Sequence, residues 1–283
     1  MLPRLQTQSD IAPVIKRFLK ELNESGFCGD IETEYASRLA VATDNSVYQQ
    51  LPQAVVHPKS TQDVTLLNKV SSKPEYNSVT FSVRGGGTGT NGQSLNHGIV
   101  VDLSRHMNKV LEVNQEEGWV RVQAGVVKDQ LNDAVRPHGF FFSPDLSTSN
   151  RATLGGMINT DASGQGSLKY GKTSDHVLSL QAVFTDGSIF ETDGSNGSPN
   201  QRERAGQVLS LCQQVCRESR GEIEKRFPPL NSFPHRLRSE KCLQSRKRPT
   251  RLSPDTLWVG RLACLYYRSQ VESNQDSKRS HVG

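Results

Sequence analysis

The amino-acid sequence predicts an α+β fold built as two small lobes, and three observations support this prediction. Segments with helical periodicity and segments with strand periodicity alternate over most of the 283 residues. A glycine-rich loop after residue 84 separates an earlier group of elements from a later one. With 34% hydrophobic and 22% charged residues, the chain has the composition of a folded protein.

The helices are predicted where apolar residues recur at helical spacing. Ser9 caps the first helix, which tolerates Pro13 in its first turn and ends at Gly26. Ser60 caps the second helix. Further helices are predicted over residues 126–135 and 205–227.

The strands are predicted where β-branched and aromatic residues cluster or alternate with polar ones. The last two strands meet at Asp186-Gly187, a dipeptide that is typical of a tight hairpin turn. The predicted strands cover residues 54–57, 79–83, 99–103, 110–113, 119–123, 177–184 and 188–192.

Basic residues are concentrated in residues 235–283, which hold 11 of the 34 Lys and Arg residues but only 4 of the 29 Asp and Glu residues. The part before residue 235 is slightly acidic and offers no basic surface to a phosphate backbone. Within the basic segment, no aromatic residue precedes Trp258. We therefore expect no nucleic-acid partner.

The cysteines and the distribution of apolar residues indicate a cytoplasmic protein. The five cysteines are an odd number without a CxxC pair, which favours reduced thiols over a disulfide framework or a metal site. The sequence has no run of about 18 apolar residues, and its start lacks a charged segment followed by an apolar stretch. We therefore expect no bound metal, no membrane span and a cytoplasmic location, and the oligomeric state is left open.

The densest signal is a loop with five glycines in eight residues, Gly85-Gly-Gly-Thr-Gly-Thr-Asn-Gly92, directly after a predicted strand. Without Cβ atoms, such a backbone can adopt positive φ and turn successive N–H groups towards one point, which forms a concave nest for phosphate oxygens. Thr88, Thr90 and Asn91 can add side-chain hydrogen bonds. A tight turn needs only one or two glycines, so the loop favours a phosphate-binding site.

Two common phosphate-binding motifs are excluded by the context of this loop. Residues 87–92 match the GxGxxG pattern of dinucleotide-binding folds, but the residues that follow are too short and polar for the required helix and lead into a strand. A nucleoside-triphosphate loop needs a lysine after the glycines, and no lysine occurs between Lys73 and Lys109.

A second segment of small polar residues covers residues 143–164 and ends in the motif Gly155-Gly-Met-Ile-Asn-Thr-Asp-Ala-Ser-Gly164. Hydroxyl groups followed by paired glycines suit a surface on which a flat polar ligand lies against the backbone. Taken alone, this segment fits a solvated loop equally well.

Five motifs follow one another in an order that is typical of one family: Arg84-Gly-Gly-Gly-Thr-Gly, Pro144-Asp145, Ala152-Thr-Leu-Gly-Gly156, Tyr170-Gly171 and Asp175-His-Val177. They resemble the FAD-binding domain of the vanillyl-alcohol oxidase/p-cresol methylhydroxylase type, called PCMH-type. The resemblance implies FAD as the cofactor, with the pyrophosphate in the glycine loop and the ribityl chain and isoalloxazine along the second segment. The residues that it assigns to the cofactor are Arg84, Gly85, Gly86, Gly87, Thr88, Gly89, Thr90, Asn91, Pro144, Asp145, Thr148, Thr153, Gly155, Gly156, Thr160, Gly164 and Val177.

The stretch from Trp119 to His176 is similar to bacterial FAD-linked oxidases related to D-lactate and D-2-hydroxyglutarate dehydrogenases. The resemblance implies an oxidoreductase whose flavin removes a hydride from a small D-2-hydroxy acid. Two alternatives stay open: another flavoenzyme of the same fold, such as a sugar-nucleotide reductase of cell-wall synthesis, and a non-catalytic flavin- or phosphate-binding fragment. No cluster of His, Arg and Lys residues can be placed above the flavin ring, so no catalytic residue is predicted.

The sequence departs from the family pattern in two places. No histidine lies between Pro58 and Asn96, where some relatives attach the flavin, so non-covalent FAD is expected. After Phe233 the pattern gives way to an Arg/Ser/Lys/Pro mixture, as expected of a truncated or frameshifted product that is inactive alone. The predicted organisation is an N-terminal helical segment over residues 1–48, an incomplete PCMH-type domain over residues 49–233, and a basic irregular tail over residues 234–283.

Overall fold

The computed structural model describes residues 11–192, 204–226, 269–272 and 274–275, which form an α+β arrangement with two cores. The first lobe holds a four-stranded sheet with helices packed on it. Its elements are α1 (Pro13–Glu24), β1 (Asp30–Glu32), α2 (Tyr35–Ala40), β2 (Ala54–His57), α3 (Thr61–Ser71), β3 (Phe81–Arg84) and β4 (Ile99–Asp102).

The sheet of the first lobe has the strand order β1-β2-β4-β3. Strands β2, β4 and β3 are parallel, and β1 runs antiparallel to β2. In this register Arg84 lies opposite Asp102, and the preceding pair is Val83 and Val101. The carboxyl ends of the three parallel strands therefore meet at one edge, which is where open α/β sheets commonly bind ligands.

Helix α3 begins as the sequence predicts. The Ser60 side chain accepts a hydrogen bond from the Asp63 backbone N–H at 3.1 Å, and the Asp63 carboxylate accepts one from the Ser60 N–H. This reciprocal arrangement satisfies two backbone donors that a helix start otherwise leaves without partners. The first core then forms where α1 and α3 cover the sheet, with Phe18, Leu67 and Ile99 fully buried.

The second lobe follows directly along the chain. Its core contains Val120, Val122, Leu131, Phe142 and Leu154, all almost fully buried. Its elements are β5 (Val110–Asn114), β6 (Trp119–Val122), α4 (Lys128–Val135), β7 (Phe140–Phe141), α5 (Leu154–Asn159), α6 (Ser167–Tyr170), α7 (Thr173–His176) and β8 (Val177–Ser179).

The chain then returns to the first core through a hairpin of β9 (Gln181–Val183) and β10 (Ile189–Glu191). The hairpin turns at Gly187, whose φ of +80° lies in the left-handed region that glycine adopts readily, so the predicted turn is confirmed. The predicted strand over residues 177–184 is divided at Leu180, because β8 and β9 pair in different sheets. Two helices follow, α8 (Arg204–Glu218) and α9 (Arg220–Arg226), where the sequence predicts one.

Two short strands lie in the segment predicted to be an irregular tail: β11 (Ser269–Glu272) and β12 (Asn274–Gln275). Strand β11 pairs with β6 on one side and β8 on the other, in the order β5-β6-β11-β8, and β12 pairs with β7. The prediction of irregular structure is wrong for these strands. The pairing uses backbone groups of partners about 90 to 150 positions away in the chain, which local periodicity does not reveal.

Some predicted features differ from the structure or lie outside the residues that it describes. Helix α1 begins after Ala12, which makes no side-chain cap, and the predicted cap Ser9 lies outside the described residues. The predicted break at residues 194–200 and most of the basic segment also lie outside them. The sequence did not predict β1, α2, β7 or the short helices α5, α6 and α7.

The described residues also bear on the expectations about membranes and metals. None of the helices among them is long and apolar enough to cross a bilayer. Within the same ranges, no group of three or more His, Cys, Asp or Glu side chains is arranged to hold a metal ion. Cys28, Cys212 and Cys216 carry free thiols.

Candidate cofactor-binding site

The glycine-rich loop begins where β3 ends, at the edge of the sheet that the carboxyl ends of the parallel strands share. Gly87 has a φ of +62°, in the left-handed region, and its neighbours Gly85, Gly86 and Gly89 have φ outside that region. Within the described part of the chain, the backbone N–H groups of residues 85–89 donate no hydrogen bond to protein. Five donors in succession are thus available to a ligand, which is the arrangement that binds phosphate oxygens.

The second segment packs directly against this loop. A Cβ atom on Gly85 would lie 2.0 Å from the Thr153 hydroxyl oxygen, and one on Gly86 would lie 1.8 Å from the Arg151 carbonyl oxygen. Both distances are far shorter than van der Waals contact, so these two positions require glycine. The structure therefore brings the two predicted segments together along one seam.

The second segment is held in place by close backbone contacts and by hydrogen bonds, both within the segment and to Ala124. Gly164 sits against the Asp145 carbonyl, where a Cβ atom would be 1.5 Å away. The Thr160 hydroxyl donates to the Gly156 carbonyl at 2.9 Å, and the Gly155 N–H donates to the Ala124 carbonyl at 2.8 Å. The Gly155 N–H is consequently already used within the protein.

The remaining predicted residues of the second segment have different surroundings. Thr153 precedes α5 and forms an isolated bridge with Val127, which joins the segment to the start of α4. Pro144 is buried, Asp145 is exposed, and Thr148 lies between these extremes. Val177 is half-buried and begins β8, at the far end of the segment.

Arg84 lies beside the loop, but its guanidinium group is directed to other protein groups. It donates to the Thr43 carbonyl at 2.9 Å, to the Val41 carbonyl at 3.4 Å and to the Ser94 hydroxyl at 3.3 Å. Burial lowers the pKa of Arg84, while Asp102 and Asp44 act in the opposite direction. The contact of Arg84 with the cofactor stays a prediction. In the structure, its guanidinium group instead joins residues 41–43 to Ser94.

The two carbonyl groups that Arg84 contacts belong to a loop that the sequence analysis missed, residues 41–50, which we call the strap. Its two ends are joined by an isolated bridge between Thr43 and Gln49. The strap contacts the glycine loop through the Asn45 N–H, which donates to the Gly87 carbonyl at 3.0 Å. Its run of Thr-Asp-Asn-Ser at residues 43–46 is a turn signal, but nothing in that run indicates what the turn covers.

Asp44 ties the strap to the end of the glycine loop. One carboxylate oxygen accepts the Ser46 N–H at 2.8 Å, and the other accepts the Ser94 hydroxyl at 3.0 Å. Burial alone would raise the pKa of Asp44, but the hydrogen bonds from Ser46 and Ser94 and the nearby charge of Arg84 hold it below its ordinary value. A charged Asp44 therefore fixes the strap.

A cluster of charged side chains lies at the same sheet edge, around the buried His57. Its ring nitrogens are 3.6 Å from an Asp102 carboxylate oxygen and 3.7 Å from a Glu32 carboxylate oxygen, too far for hydrogen bonds. Burial lowers the pKa of His57, while the Asp102 and Glu32 charges raise it. Asp102 also acts electrostatically on Arg84, so this cluster lies next to the arginine that holds the strap.

Comparison with known proteins identifies the family that this fold and site define. The sequence model of a family described as "FAD binding domain" matches residues 52–193, half of the chain, and this range includes both the glycine loop and the second segment. The chain therefore belongs to the FAD-binding domain family, and its cofactor is FAD.

Curated relatives are similar over most of the chain. D-2-hydroxyglutarate dehydrogenase of Escherichia coli is 53% identical over 238 residues, which cover 82% of this chain and 23% of the relative. The protein of the same name from Haemophilus influenzae is 54% identical over 241 residues. D-lactate dehydrogenase of Archaeoglobus fulgidus is 39% identical over 142 residues, 50% of this chain. The chain thus spans about a quarter of the length of the first two relatives.

Solved structures share the fold. Alkyldihydroxyacetonephosphate synthase superposes with a TM-score of 0.60 at 19% identity, over 92% of this chain and 44% of that one. 6-Hydroxy-D-nicotine oxidase of Arthrobacter nicotinovorans superposes with a TM-score of 0.51 at 22% identity, over 72% of this chain and 39% of that one. At these identities the likeness confirms the two-lobed PCMH-type architecture and nothing about substrate.

The residues of the site fit FAD. The five free backbone donors of residues 85–89 suit a pyrophosphate, which carries negative charge and only acceptor oxygens. The absence of Cβ atoms along this loop lets a ligand approach the backbone closely. The fit to FAD therefore rests on these backbone N–H groups, which the glycine-rich motif had indicated.

Proposed function

We propose that this chain binds FAD non-covalently through the glycine loop and forms the FAD-binding part of an oxidoreductase that oxidises D-2-hydroxy acids. The observation that carries the proposal is the 53% identity to a D-2-hydroxyglutarate dehydrogenase over 82% of the chain, a range long enough to include the whole described site. We propose D-2-hydroxyglutarate as the first substrate to test and the cytoplasm as the place of action, which cell fractionation would test.

In this proposal the chain's own residues bind and orient the cofactor. The N–H groups of residues 85–89 donate hydrogen bonds to the pyrophosphate oxygens. Thr88, Thr90 and Asn91 add side-chain donors at the same end. The second segment, residues 143–164, lines the flavin half together with Val177. When bound, FAD supplies the electron acceptor for hydride removal from the carbon that bears the substrate hydroxyl.

Non-covalent attachment is supported by the residues around the loop. No histidine occurs between Pro58 and Asn96, so the loop offers no imidazole for a covalent bond to the flavin. Among the free thiols that the structure describes, Cys28 follows α1, and Cys212 and Cys216 lie in α8; none belongs to the loop or the second segment.

A second candidate function is FAD binding without turnover by this chain. It is favoured by the share of the relatives that the chain spans, 23% of the E. coli protein. In that case the chain retains the cofactor site, and groups that hold a substrate are contributed elsewhere. No catalytic residue is proposed within the described part of the chain.

The first experiment measures FAD binding by the full chain. Purified protein is titrated with FAD, and flavin fluorescence and absorbance after desalting report the bound fraction. Acid precipitation should then release all the flavin into the supernatant. Flavin that stays with the precipitated protein would contradict non-covalent attachment, and a chain that binds no FAD at any concentration would contradict the proposal as a whole.

The second experiment tests the substrate class. Residues 11–226 replace the matching segment of the E. coli relative, and D-2-hydroxyglutarate-dependent reduction of a dye is compared with that of the unaltered relative. We expect the chimera to retain FAD and activity. A chimera that binds FAD stoichiometrically but reduces no dye would contradict the assignment to D-2-hydroxy acid oxidation.

A further inference from the structure

Tyr48 is an exposed aromatic side chain beside the phosphate-binding loop, and no part of the FAD-binding motifs includes it. Tyr48 is 60% exposed. Among the exposed large apolar residues in the described part of the chain, it is the only aromatic one. Exposure of a ring of this size costs free energy, because its apolar faces remain in water. A ring held beside a ligand site offers a flat surface on which a planar group can stack.

The strap fixes Tyr48 against the loop rather than leaving it free in solvent. A Cβ atom on Gly92 would lie 3.0 Å from the Cδ2 atom of Tyr48, so the ring lies next to the backbone of the loop. The Tyr48 N–H donates to the Ser46 hydroxyl at 3.1 Å, and Ser46 is in turn held by Asp44. The position of the ring is therefore set by the turn that Asp44 organises.

The glycine loop lies between two different surfaces. On one side, Gly85 and Gly86 meet residues 151–153, which include no aromatic residue. On the other side, Gly87 and Gly92 meet the strap, which carries Tyr48. The strap therefore presents an aromatic ring beside the loop, whereas residues 151–153 present none.

We propose that Tyr48 stacks on the adenine ring of FAD and so selects the dinucleotide over FMN. The inference rests on the proposed function, because it needs the pyrophosphate in the glycine loop. Adenine is a flat π-system one ribose away from the pyrophosphate, and aromatic side chains stack on nucleobases without requiring specific hydrogen bonds. The ring of Tyr48 is the surface of matching chemistry on the strap side of the loop.

The stacking proposal assigns separate roles to the strap and to the second segment. FMN has no adenosine half, so its affinity depends on the loop and the second segment but not on Tyr48. ADP has the adenosine half and two phosphates, so its affinity depends on the loop and Tyr48. The two ligands therefore separate the contribution of the ring from that of the phosphate site.

The experiment measures dissociation constants of FAD, FMN and ADP for the full chain and for Tyr48→Ala, Tyr48→Phe and Val47→Ala, by flavin fluorescence and calorimetry. We expect Tyr48→Ala to weaken FAD and ADP by about tenfold and to leave FMN unchanged, since a base–aromatic stack commonly contributes that much. Tyr48→Phe keeps the ring and should bind FAD like the parent. Val47→Ala, at the neighbouring residue that is 93% exposed, is the matched control and should change nothing.

The outcomes separate failure of this inference from failure of the proposed function. Unchanged FAD affinity in Tyr48→Ala would overturn the stacking role, and so would an equal loss of FAD and FMN, which would indicate a general effect on the loop. A parent chain that binds neither flavin would overturn the proposed function together with this inference. Because Tyr48 is exposed, thermal denaturation of the variant should match that of the parent.

Discussion

At the scale of single residues, the glycines of the loop make graded predictions. Gly86→Ala places a Cβ atom 1.8 Å from the Arg151 carbonyl, a backbone group that cannot move alone. We expect more than tenfold weaker FAD binding and a loss of about 1–3 kcal/mol in the free energy of unfolding, the usual cost of overpacking. A Cβ atom on Gly89 meets only the flexible Gln93 amide, so Gly89→Ala should have a smaller effect.

The matched control for these variants is Gly221→Ala in α9, where an added Cβ atom meets nothing within 4 Å. Alanine is favoured over glycine inside a helix by about 1 kcal/mol, so this variant should bind FAD unchanged and unfold at the same or a higher temperature. FAD titration and thermal denaturation measure both properties. Parent-like FAD affinity in Gly86→Ala would show that the seam between the loop and the second segment is not as close as described.

His57 makes a prediction about pH. Burial lowers its pKa below the ordinary value of 6.5. The unfolded chain therefore takes up a proton near pH 6.5 and the folded chain only at lower pH, so stability decreases as pH falls below about 6.5. The charged groups that face the ring are Asp30, Glu32, Asp102 and Arg105, and the ring of His106 also packs against it.

Urea unfolding between pH 8 and pH 5 measures this dependence. We expect the unfolding midpoint of the parent to fall over this range, and that of His57→Gln to fall less, because the variant has no titrating ring at this position. His97→Gln, at an exposed histidine, is the control and should follow the parent. Identical pH dependence in the parent and His57→Gln would contradict the described burial of His57.

The residues of the site were predictable to different degrees. Glycine carries a direct physical signal, since closely spaced glycines after a strand have few structural uses, and the loop was found for that reason. The strap carries no such signal, because the role of Asp44 and Tyr48 depends on what the turn covers. Arg84 was assigned to the cofactor on its position in the motif, whereas its guanidinium contacts Thr43 and Ser94.

At the scale of elements, the sequence predicts what local periodicity encodes. Strands β2, β4 and β6 were predicted to within one residue of either end, and the start of α3 was predicted at its Ser60 cap, because the cap and the strand pattern are local properties. Strand β1 was missed, since it has only three residues, too few to show a strand period, and it pairs with β2 through the backbone. Strand β11 was missed for the same reason.

Strand β11 carries the prediction at this scale. It pairs with β6 and β8, so deletion of residues 227–283 should expose the backbone edges of both strands. We expect faster amide hydrogen exchange in Trp119–Val122 and Val177–Ser179, measured by mass spectrometry. Strands β2 and β4 pair within the other sheet and serve as the internal control. Unchanged exchange in β6 would show that the pairing with β11 contributes little in solution.

At the scale of the whole molecule, the two lobes contribute different parts of the candidate cofactor site. The first lobe provides the glycine loop and the strap, and the second lobe provides the second segment, which packs against that loop. Two buried lysines beside the second segment are paired with carboxylates: Lys128 lies 3.3 Å from Asp145, and Lys172 lies 3.8 Å from Asp161. These ion pairs leave neither lysine free to bind an anionic substrate.

We predict that the full chain, loaded with FAD, does not oxidise D-2-hydroxyglutarate or D-lactate. Hydride transfer requires the substrate carbon to be held over the flavin ring, with cationic groups at the carboxylate and a base at the hydroxyl. Two buried lysines beside the second segment, Lys128 and Lys172, are paired with carboxylates, and the chain spans only 23% of the length of the E. coli relative. Anaerobic mixing with millimolar substrate should leave the flavin absorbance unchanged, while the intact relative is bleached under the same conditions. Bleaching of this chain's flavin by substrate, at a rate above that of free FAD, would instead place the catalytic groups within these 283 residues.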